Sequence, residues 1–598
     1  MDTTTVAPCV TDSAREKTVV LSGGHPNLGA VVRSVLAAGF LIGAVDDERG
    51  DLAYEIPVDE SGDPFEALLT AHLRRVGANP RSPGRARIEH VHDRLDVADS
   101  RSIAHLRLRG DGPAEWDGAV LRRTLQTRAV AVVCAELSLQ AGVDEVSQAL
   151  SAHGASSPDT ARTARSGETT RAPRLRQGSG GSPKRSRKSL ECVADFGAFQ
   201  KSWFASVRER AIGGEPFAVV NADAPQEILR AFDIPFVVNQ WWSSIVAAKQ
   251  RATEYRDALG SAGYPTVSDV YSSMGMGSAL GDIEDPPWGG LPTPTIVEMV
   301  RTDDITAMLY ESWSRETGAL VIEFSRTVDS RVDLPIEWWE ELPRNWENFL
   351  EPVRLDLMEA ELELSVSTIA AHTGRDFSPE RFVEIMDLVN EQEEYFRKAR
   401  DLIAATRPAP AGIVDTMPAT MIPQWHRGTR WGRDAARAFC EEVTRRVESG
   451  SAVCAQERIR LMWVGRGLWT SMNVYQAFED SHGAVFVWSM YLALAADGYL
   501  RYVDEDQSPM RALAARFITM GDELRMPSWA SAWHVEEAKR HGIDAAVAID
   551  DADPSVIRAL RAAGIPVLEL TGDNMQSAIE EPIATRIGAF LDKEFGRA

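Results

Sequence analysis

Residues 533–595 read WHVEEAKRHGIDAAVAIDDADPSVIRALRAAGIPVLELTGDNMQSAIEEPIATRIGAFLDKEF, and this stretch decides the fold class. It contains two short apolar runs, 544–549 and 566–570, and each lies between segments with helical spacing. A strand that is apolar on both faces is typical of a parallel sheet that helices cover on both sides. The stretch therefore predicts an α/β domain, and ligands of such domains bind where the strands end.

The composition of the whole chain is that of a folded protein. The chain has 598 residues, 44% of them hydrophobic, and a formal net charge of −24, which argues against nucleic acid or an anionic membrane as the main partner. No apolar run approaches the roughly 20 residues of a membrane span. Residues 1–17 lack the basic and apolar segments of a secretory signal, and the five cysteines are scattered without metal-binding spacing. We therefore expect a cytoplasmic protein.

Composition also divides the chain into parts. Residues 152–190 are rich in Ser, Gly, Pro and Arg without an apolar period, which is typical of a disordered tether, and its basic KRSRK segment is expected to lie on an acidic face. We predict an N-terminal Rossmann-like domain (1–150), this linker (151–190), a first α/β lobe (191–347), a helical region (348–455) and a second α/β lobe (456–598). The predicted fold class is thus α/β, with a Rossmann-like domain followed by two parallel-sheet lobes braced by long helices.

The first region begins with a predicted strand–helix–strand unit. TVVLSGG (18–24) predicts a strand that runs into a turn, GAVVRSVLAAGF (29–40) a helix, and LIGAVDD (41–47) a second strand that ends in acids. The turn SGGHPNLG (22–29) resembles the TGxxxGxG turn of short-chain dehydrogenases, with Asn27 in place of the middle glycine. The resemblance implies that Gly23, Gly29 and Asp46 would bind the dinucleotide.

The catalytic residues of a dehydrogenase are missing from this region. Tyr54 is its only tyrosine, and no Tyr-x-x-x-Lys follows. Without such a phenol and lysine, hydride transfer has no proton donor. We interpret residues 1–150 as a degenerate, non-catalytic domain used for packing or assembly, with residual NAD(P) binding as the alternative.

The second region carries an ordered series of segments. They are PQEILRAFDIPFV (225–237), GYPTVSDVYSS (263–273), PTPTIVEMVRTDDITAMLYE (292–311), HTGRDFSPERFVEIMDLVNEQ (372–392), RIRLMWVGRGLW (458–469) and GIPVLELTGDN (564–574). Their order and spacing over nearly 400 residues resemble the 2-hydroxyacyl-CoA dehydratase/benzoyl-CoA reductase subunit family. The resemblance implies a pair of homologous subunits that face each other across an active site, an acyl-CoA substrate and a [4Fe–4S] cluster held by cysteines from three places.

The chain departs from that family at all three places. Tyr271 stands where the first cysteine is expected, Thr302 or Asp303 at the second place, and residues 550–554 at the third contain no cysteine. A cluster needs thiolates or, more rarely, imidazoles. We predict that this chain has no cluster in the family's manner and no other cofactor, with coenzyme A entering only as part of the substrate.

The candidate binding residues follow predicted strands or lie in tight turns, where ligands of α/β domains tend to bind. They are Trp241, Trp242, Ser243, Ser244, Ser272 and Trp288. The four consecutive residues 241–244 are expected to form a loop directly after a strand. Adjacent tryptophans are also common in cores and interfaces, so that interpretation stays open.

The candidate catalytic residues are Tyr271, Glu298 and His426. Tyr271 puts a phenol where a metal ligand is expected, with simple space filling as the alternative. Glu298 in mid-strand would be costly to bury unpaired, so it is expected to have a partner or to face the cleft. His426, in QWHRGTRWGR (424–433), is the best-placed imidazole, with an ordinary hydrogen-bonded core histidine as the alternative.

Three functions are compatible with these observations. In the first, the chain is a subunit of a hetero-oligomeric, dehydratase-like enzyme that acts on an acyl-CoA thioester, with an aromatic acyl group favoured, by cluster-independent lyase or hydratase chemistry. In the second, it is a structural subunit of a radical dehydratase or reductase whose cluster lies in the partner chain. In the third, it is a non-catalytic scaffold.

Overall fold

A computed structural model describes residues 17–47, 58–59, 61–74, 85–154, 187–266, 270–327, 338–469, 471–519, 530–549, 552–570 and 580–596. The chain forms two compact units. The first comprises residues 1–180, 259–269 and 303–312, and the second comprises 181–258, 270–302 and 313–598.

The first unit is built on a parallel sheet of four strands in the order β2-β1-β3-β4. Its elements are β1 (Thr18–Ser22), α1 (Leu28–Ala37), β2 (Leu41–Val45), α2 (Pro64–Arg74), α3 (Arg85–Val97), β3 (Ser102–Leu108), α4 (Gly112–Leu125), β4 (Ala131–Leu137) and α5 (Val143–Gly154). Val19 and Leu21 pack under α1 and α5, while Val20 packs under α3 and α4 on the other face. Four successive side chains of β1, from Val19 to Ser22, are therefore buried, as the apolar run predicts.

The second unit contains two further parallel sheets. Its first part consists of α6 (Phe196–Ile212), β5 (Ala218–Val220), α7 (Gln226–Ala231), β6 (Phe236–Val238), α8 (Asn239–Ala248), α9 (Ala252–Ser261), α10 (Val270–Leu280), β7 (Ile296–Arg301), α11 (Asp304–Thr317) and β8 (Leu320–Ser325). The strand order is β6-β5-β7-β8. α9 and α11 each run across a boundary between the two units.

Long helices follow this sheet. They are α12 (Trp338–Phe349), α13 (Pro352–Thr373), α14 (Pro379–Ala405), α15 (Ile413–Trp425) and α16 (Arg430–Ser449). The start of α14 is capped, because Ser378 Oγ accepts a hydrogen bond from Arg381 N and Pro379 is the first helical residue. These helices supply the predicted bracing between the sheets.

The last part of the chain forms the third sheet, in the order β10-β9-β11-β12. Its elements are β9 (Ile459–Val464), α17 (Glu479–His482), β10 (Ala484–Ser489), α18 (Met490–Asp497), α19 (Pro509–Ile518), α20 (Ala530–Arg540), β11 (Ala545–Ala548), α21 (Pro554–Ala562), β12 (Val567–Glu569) and α22 (Glu580–Phe595). Every residue of β9, β10 and β11 is buried. The C-terminal stretch is therefore the parallel α/β ending that its apolar runs predict.

The structure differs from the sequence prediction at residues 241–244. These residues lie in α8 and not in a loop, because the helix begins directly after the last residue of β6. The segment NQWWSSIVAA (239–248) contains no Gly or Pro that would stop the helix from forming there.

Candidate functional site

A buried network of polar side chains lies where β5 and β6 end. Asn221 Nδ2 donates to Asp223 Oδ1 at 2.8 Å, and Gln240 Nε2 donates to Asn221 Oδ1. The other end of the Gln240 amide accepts a hydrogen bond from Ala222 N at 2.9 Å. Two adjacent strand ends are thereby tied together through side chains, at the edge where α/β proteins bind ligands.

Tyr271, at the start of α10, joins this network. Its hydroxyl donates to the backbone oxygen of Gln240 at 3.0 Å, and the side chain is 7% exposed. The backbone oxygen of the next residue, Ser272, accepts from Asn239 Nδ2 at 2.6 Å. The structure therefore places Tyr271 and Ser272 together, beside the ends of β5 and β6.

The Tyr271 ring lies near the loop that follows β9 of the third sheet. The guanidinium carbon of Arg466 lies 5.6 Å from the centre of the Tyr271 ring, within the range of a cation–π contact. Arg466 follows β9 between two glycines, and Gly467 N donates to the hydroxyl of Tyr491 at 2.7 Å. Thus the carboxyl ends of the two sheets of the second unit meet at Tyr271 and Arg466.

Gly467 lies where the loop after β9 packs against the Met417 side chain of α15. A Cβ there would collide with Met417 Cε. Glycine therefore lets the loop after β9 approach α15 closely, and this approach fixes the start of the segment that carries Trp469. The Trp469 ring packs 5.7 Å from Tyr491 and 6.1 Å from Trp425, so the surroundings of the segment beyond Arg466 are aromatic.

Glu298 is a buried carboxyl in the middle of β7, between Val220 and Ile322 of the neighbouring strands. It is 1% exposed, and neither carboxyl oxygen has a hydrogen-bond partner among the described residues. Its backbone oxygen accepts from Asn221 N at 2.8 Å, so Glu298 lies level with the polar network. Burial raises the pKa of Glu298 well above its usual value, the Glu227 carboxylate raises it further, and Arg427 lowers it by less. Of the two alternatives for Glu298, a hydrogen-bond partner is therefore not found among the described residues, and burial favours the neutral form of the carboxyl.

An ion cluster lies next to Glu298 in the core. Arg427 Nε donates to Glu227 at 2.9 Å, and Arg516 Nη1 lies 3.4 Å from the same carboxylate. All three side chains are at most 1% exposed. Burial acts to raise the pKa of Glu227, but the two guanidinium groups outweigh it and hold the pKa below the usual value. Glu227 is therefore the charged carboxylate beside the neutral Glu298.

His426 lies in an aromatic cluster. Its ring contacts Trp203 at 4.5 Å, Phe199 at 5.0 Å and Trp431 at 5.2 Å, all edge to face. Burial lowers the pKa of His426 well below its usual value, and Arg230 adds to this effect. Nε2 has no hydrogen-bond partner among the described residues. The alternative of an ordinary hydrogen-bonded core histidine is therefore not supported at Nε2. The imidazole is enclosed, and its burial favours the neutral form.

The same cluster includes the tryptophans predicted to bind substrate. Trp241 lies 5.0 Å from Trp203, 5.9 Å from Trp288 and 6.3 Å from Trp242, measured between ring centres. Trp241 and Trp242 have 0% exposure, so their indoles are core side chains in this structure.

The other predicted binding residues near this cluster, Trp288, Ser243 and Ser244, differ in their environment. Trp288 is half-buried and has left-handed backbone angles, φ 51° and ψ 29°, which are rare for so large a side chain. Ser244 Oγ donates to Trp241 O at 2.7 Å, and Ser243 Oγ is buried without a hydrogen-bond partner among the described residues.

The sequence interpretation missed Arg466, Trp469, Asn221 and Gln240 as site residues. A usable signal existed for Arg466, because a cation between two glycines directly after a buried strand is a ligand-binding pattern in α/β domains. Asn221 and Gln240 also directly follow predicted strands. Their pairing depends on which strands are neighbours in the sheet, and the chain order does not state this.

The residues predicted to bind a dinucleotide in the first unit do not fit one. Both oxygens of Asp46 accept from Arg87, at 2.6 and 2.7 Å, and the Asp46 carboxylate is 0% exposed. Asp117 holds the other edge of the same guanidinium at 2.8 and 3.0 Å. The Asn27 side chain caps α1 by accepting from Ala30 N. The acid for a ribose and the helix end for a pyrophosphate are therefore both satisfied from within the protein.

The two glycines of that turn have structural reasons of their own. Gly23 has φ 109°, and a Cβ there would lie 2.5 Å from Leu106 O, so glycine is needed for packing β1 against β3. At Gly29 a Cβ would meet nothing closer than the Arg33 side chain at 3.5 Å. No close approach to a ligand is needed to explain either position.

The donor set does not fit an iron–sulfur cluster either. Tyr271 offers a phenol, and the carboxylates of Asp303 and Asp553 cap α11 and α21 by accepting from Thr306 N and Ser555 N, both at 2.7 Å. Asp550 and Asp551 lie outside the described residues. The described cysteines, at positions 134, 192, 440 and 454, are elsewhere, and the described part of the chain has no group of three metal-ligating side chains.

Comparison with known proteins agrees with this architecture. The family described as "2-hydroxyglutaryl-CoA dehydratase, D-component" matches residues 221–593. The (R)-2-hydroxyisocaproyl-CoA dehydratase alpha subunit of Clostridioides difficile is 21% identical over 279 residues, which are 46% of this chain and 64% of that protein. The (R)-phenyllactyl-CoA dehydratase alpha subunit of Clostridium sporogenes is 22% identical over 263 residues, 43% of this chain and 59% of that protein.

The matched regions thus cover less than two thirds of either relative.

No helix in the described part of this chain is long and apolar enough to cross a bilayer. The family match covers more than half of the chain and contains all the strands of its second and third sheets except β5, which ends one residue before the match begins. The chain belongs to the 2-hydroxyglutaryl-CoA dehydratase D-component family.

Proposed function

We propose that this chain is a subunit of a dehydratase-like enzyme that adds water to, or removes it from, an acyl-CoA thioester by acid/base chemistry. The observation that carries the proposal is Tyr271, a hydrogen-bonded phenol at the position where the family resemblance puts the first cluster cysteine. The family framework around it is retained over residues 221–593. A second dehydratase-like subunit is proposed to complete the cleft.

The chemistry needs a proton donor. Loss of water from a hydroxyacyl thioester breaks one C–O and one C–H bond, so one group protonates the departing hydroxyl while another removes the carbon-bound proton. Tyr271 carries its proton, since its hydroxyl donates to Gln240 O, and burial keeps Glu298 protonated. Both groups therefore suit the donor role at neutral pH, and the base that accepts the carbon-bound proton is proposed to come from the second subunit.

Arg466 is proposed to stabilise negative charge on the thioester oxygen. In a thioester whose hydroxyl is on C3, removal of the C2 proton builds up charge on the carbonyl oxygen, and a fixed cation at this place lowers the barrier. Arg466 faces the Tyr271 ring from the opposite sheet, so one bound thioester could contact both side chains. The aromatic wall formed by Trp469 and Trp425 supports an aromatic or otherwise bulky acyl group.

His426 and the first unit are given no catalytic role in this proposal. His426 is enclosed by three aromatic rings, which leaves its imidazole no path to a bound thioester. In the first unit, Arg87 saturates the Asp46 carboxylate, which supports a packing or assembly role without NAD(P).

A second candidate function is favoured by the named relatives, which are alpha subunits of dehydratases. In that alternative a partner chain holds the cluster, and the present chain supplies only one side of the cleft. A scaffold without any catalytic role is the third.

Metal analysis of the assembled complex separates these alternatives. The chain is purified together with the product of the neighbouring gene, and iron, acid-labile sulfide and acyl-CoA binding are measured. Tight acyl-CoA binding without iron supports cluster-independent chemistry, whereas about four irons per complex would support the second function. Absence of acyl-CoA binding in an iron-free complex would leave the scaffold.

The proton donors are tested by isosteric variants. Tyr271→Phe and Glu298→Gln remove a proton and leave the side-chain shape, so each is expected to lower kcat by about 10²–10⁴-fold with little change in acyl-CoA affinity. Tyr255→Phe and Glu393→Gln are matched controls at buried positions outside the network, and we expect near wild-type kcat. Full activity of Tyr271→Phe would reduce Tyr271 to a space-filling residue.

A further inference from the structure

Helix α13 has two opposite apolar faces, and only one of them is covered. The inner face consists of Leu355, Met358, Leu362, Ser365 and Ile369, all buried. A second series with the same alternating spacing of four and three residues is exposed, and we name it the outer seam. The outer seam consists of Val353, Leu357, Ala360, Leu364, Ser367 and Ala371. A surface helix normally presents polar side chains to water, so an outer face of this kind needs an explanation.

The exposure of the outer seam is substantial. Val353 is 71% exposed, Leu357 45% and Leu364 65%. The six positions run over 19 residues, or about 27 Å of helix. Their spacing is that of the contact face of a two-helix coiled coil, in which larger apolar side chains insert between those of a partner helix.

Contacts on the inner side fix which way the outer seam points. Glu361 accepts from Ser325 N at 2.8 Å and from Ser325 Oγ at 2.6 Å, which ties α13 to the end of β8. Arg511 of α19 lies 2.8 Å from both Asp356 and Glu359. Rotation of α13 to hide the outer seam would break these contacts, so the seam stays exposed in the folded second unit.

The charges beside the outer seam select its occupant. α13 carries four acids, at positions 356, 359, 361 and 363, and one arginine, Arg354, which is buried. Glu363 directly precedes Leu364, and Asp356, which is 67% exposed although it also pairs with Arg511, directly precedes Leu357; these positions flank a coiled-coil contact. A second copy of this chain would bring acids against acids, and each copy has a net charge of −24. A partner helix with basic flanks would be attracted instead.

We propose that the outer seam of α13 binds an amphipathic helix of a partner protein that has apolar residues at coiled-coil spacing and Lys or Arg beside them. The inference concerns assembly and does not depend on the proposed chemistry. It assigns an interaction surface to a helix outside the cleft of the second unit.

The test uses the full chain and two synthetic helical peptides of about three heptads. Both have Leu at the contact positions, and the flanking positions are Lys in one peptide and Glu in the other. Binding is measured by fluorescence anisotropy at low and high salt. We expect the Lys-flanked peptide to bind at least tenfold more tightly, with the difference reduced by salt.

Variants of the chain locate the binding. Leu357→Lys/Leu364→Lys is expected to abolish binding without unfolding the protein, since both side chains are exposed. Glu363→Gln should weaken only the Lys-flanked peptide. Thr368→Ala, on the same helix but outside the seam, is the matched control. Circular dichroism checks that every variant is folded.

Three results would overturn the proposal. They are absence of peptide binding, equal binding of both peptides, and binding that survives Leu357→Lys/Leu364→Lys. A fourth result comes from light scattering. If the wild-type chain self-associates and Leu357→Lys/Leu364→Lys abolishes this self-association, a second copy of the chain occupies the outer seam.

Discussion

The Glu298 carboxyl makes a prediction about stability that does not need a substrate. Its side chain is 1% exposed without a hydrogen-bond partner among the described residues, and burial raises its pKa well above the usual value. In the unfolded chain the same carboxyl titrates near its ordinary value of about 4.3. The folded protein therefore binds one more proton than the unfolded chain in the pH range above that value.

The sign of the effect follows from this difference in protons. Below the unfolded pKa both states are protonated, and Glu298 then contributes no pH dependence. As the pH rises above it, the unfolded chain ionises while the folded protein does not, so the free energy of unfolding falls by about 1.4 kcal/mol per pH unit. Glu298→Gln keeps the shape and the neutral state but cannot ionise. We expect the variant to lack this slope.

The assay is urea unfolding of wild type and variant at several pH values between about 5 and 7. Fifteen of the 16 tryptophans follow residue 190, so intrinsic fluorescence reports mainly on the second unit. At about pH 5 the free energies of unfolding of the two proteins should differ by less than about 1 kcal/mol. Over the part of this range that lies below the folded pKa, the variant should gain up to about 1.4 kcal/mol per pH unit relative to wild type.

The control is Glu363→Gln, at an exposed position of α13, which should give a profile parallel to that of the wild type. Parallel profiles for wild type and Glu298→Gln would refute the reasoning. That result would mean that Glu298 ionises in the folded protein, and the role of a neutral proton donor would fall with it.

Three further predictions concern the core, the cleft and the first unit. Arg427→Met leaves Glu227 without its closest cation and should lower the free energy of unfolding in urea by about 3–5 kcal/mol. Adding Glu227→Gln should recover most of this loss, and equal stability of the single and double variants would contradict the pairing. Gly467→Ala forces its Cβ against Met417 and should weaken acyl-CoA binding in calorimetry, an effect that Met417→Ala should relieve. In the first unit, Arg87 outweighs burial and holds the pKa of Asp46 well below its usual value, so stability should be lost as the pH falls below about 4; Asp46→Asn should flatten this acid limb in a thermal melt.

Much of the fold can be predicted from the sequence because its signals are local. The apolar runs of β9, β10 and β11, and the cap at Ser378, depend on residues close together in the chain. The departures from the dehydratase family are equally visible, since Tyr271 stands in an otherwise matching segment. The environment of Trp241 is not local. Its indole is buried by α6, and nothing in residues 239–248 shows which helix lies across them.

The site needs information that only the folded chain holds. Glu227 and Arg427 are 200 positions apart, and the sequence does not show that the nearby Glu298 lacks an ion pair of its own. Arg466 meets Tyr271 only because the ends of two separate sheets face each other. The alternatives for Glu298, a partner or an opening to the cleft, could be stated from the sequence, but the choice depended on three-dimensional neighbours.

The Arg87 contacts in the first unit constrain how that domain can evolve. One guanidinium neutralises two buried carboxylates, Asp46 and Asp117, which lie on different elements. Loss of Arg87 alone would strand both charges, whereas loss of either acid alone would leave the arginine with one partner. Replacement of Arg87 therefore has a preferred order of mutations, with Asp117 neutralised before the arginine is lost.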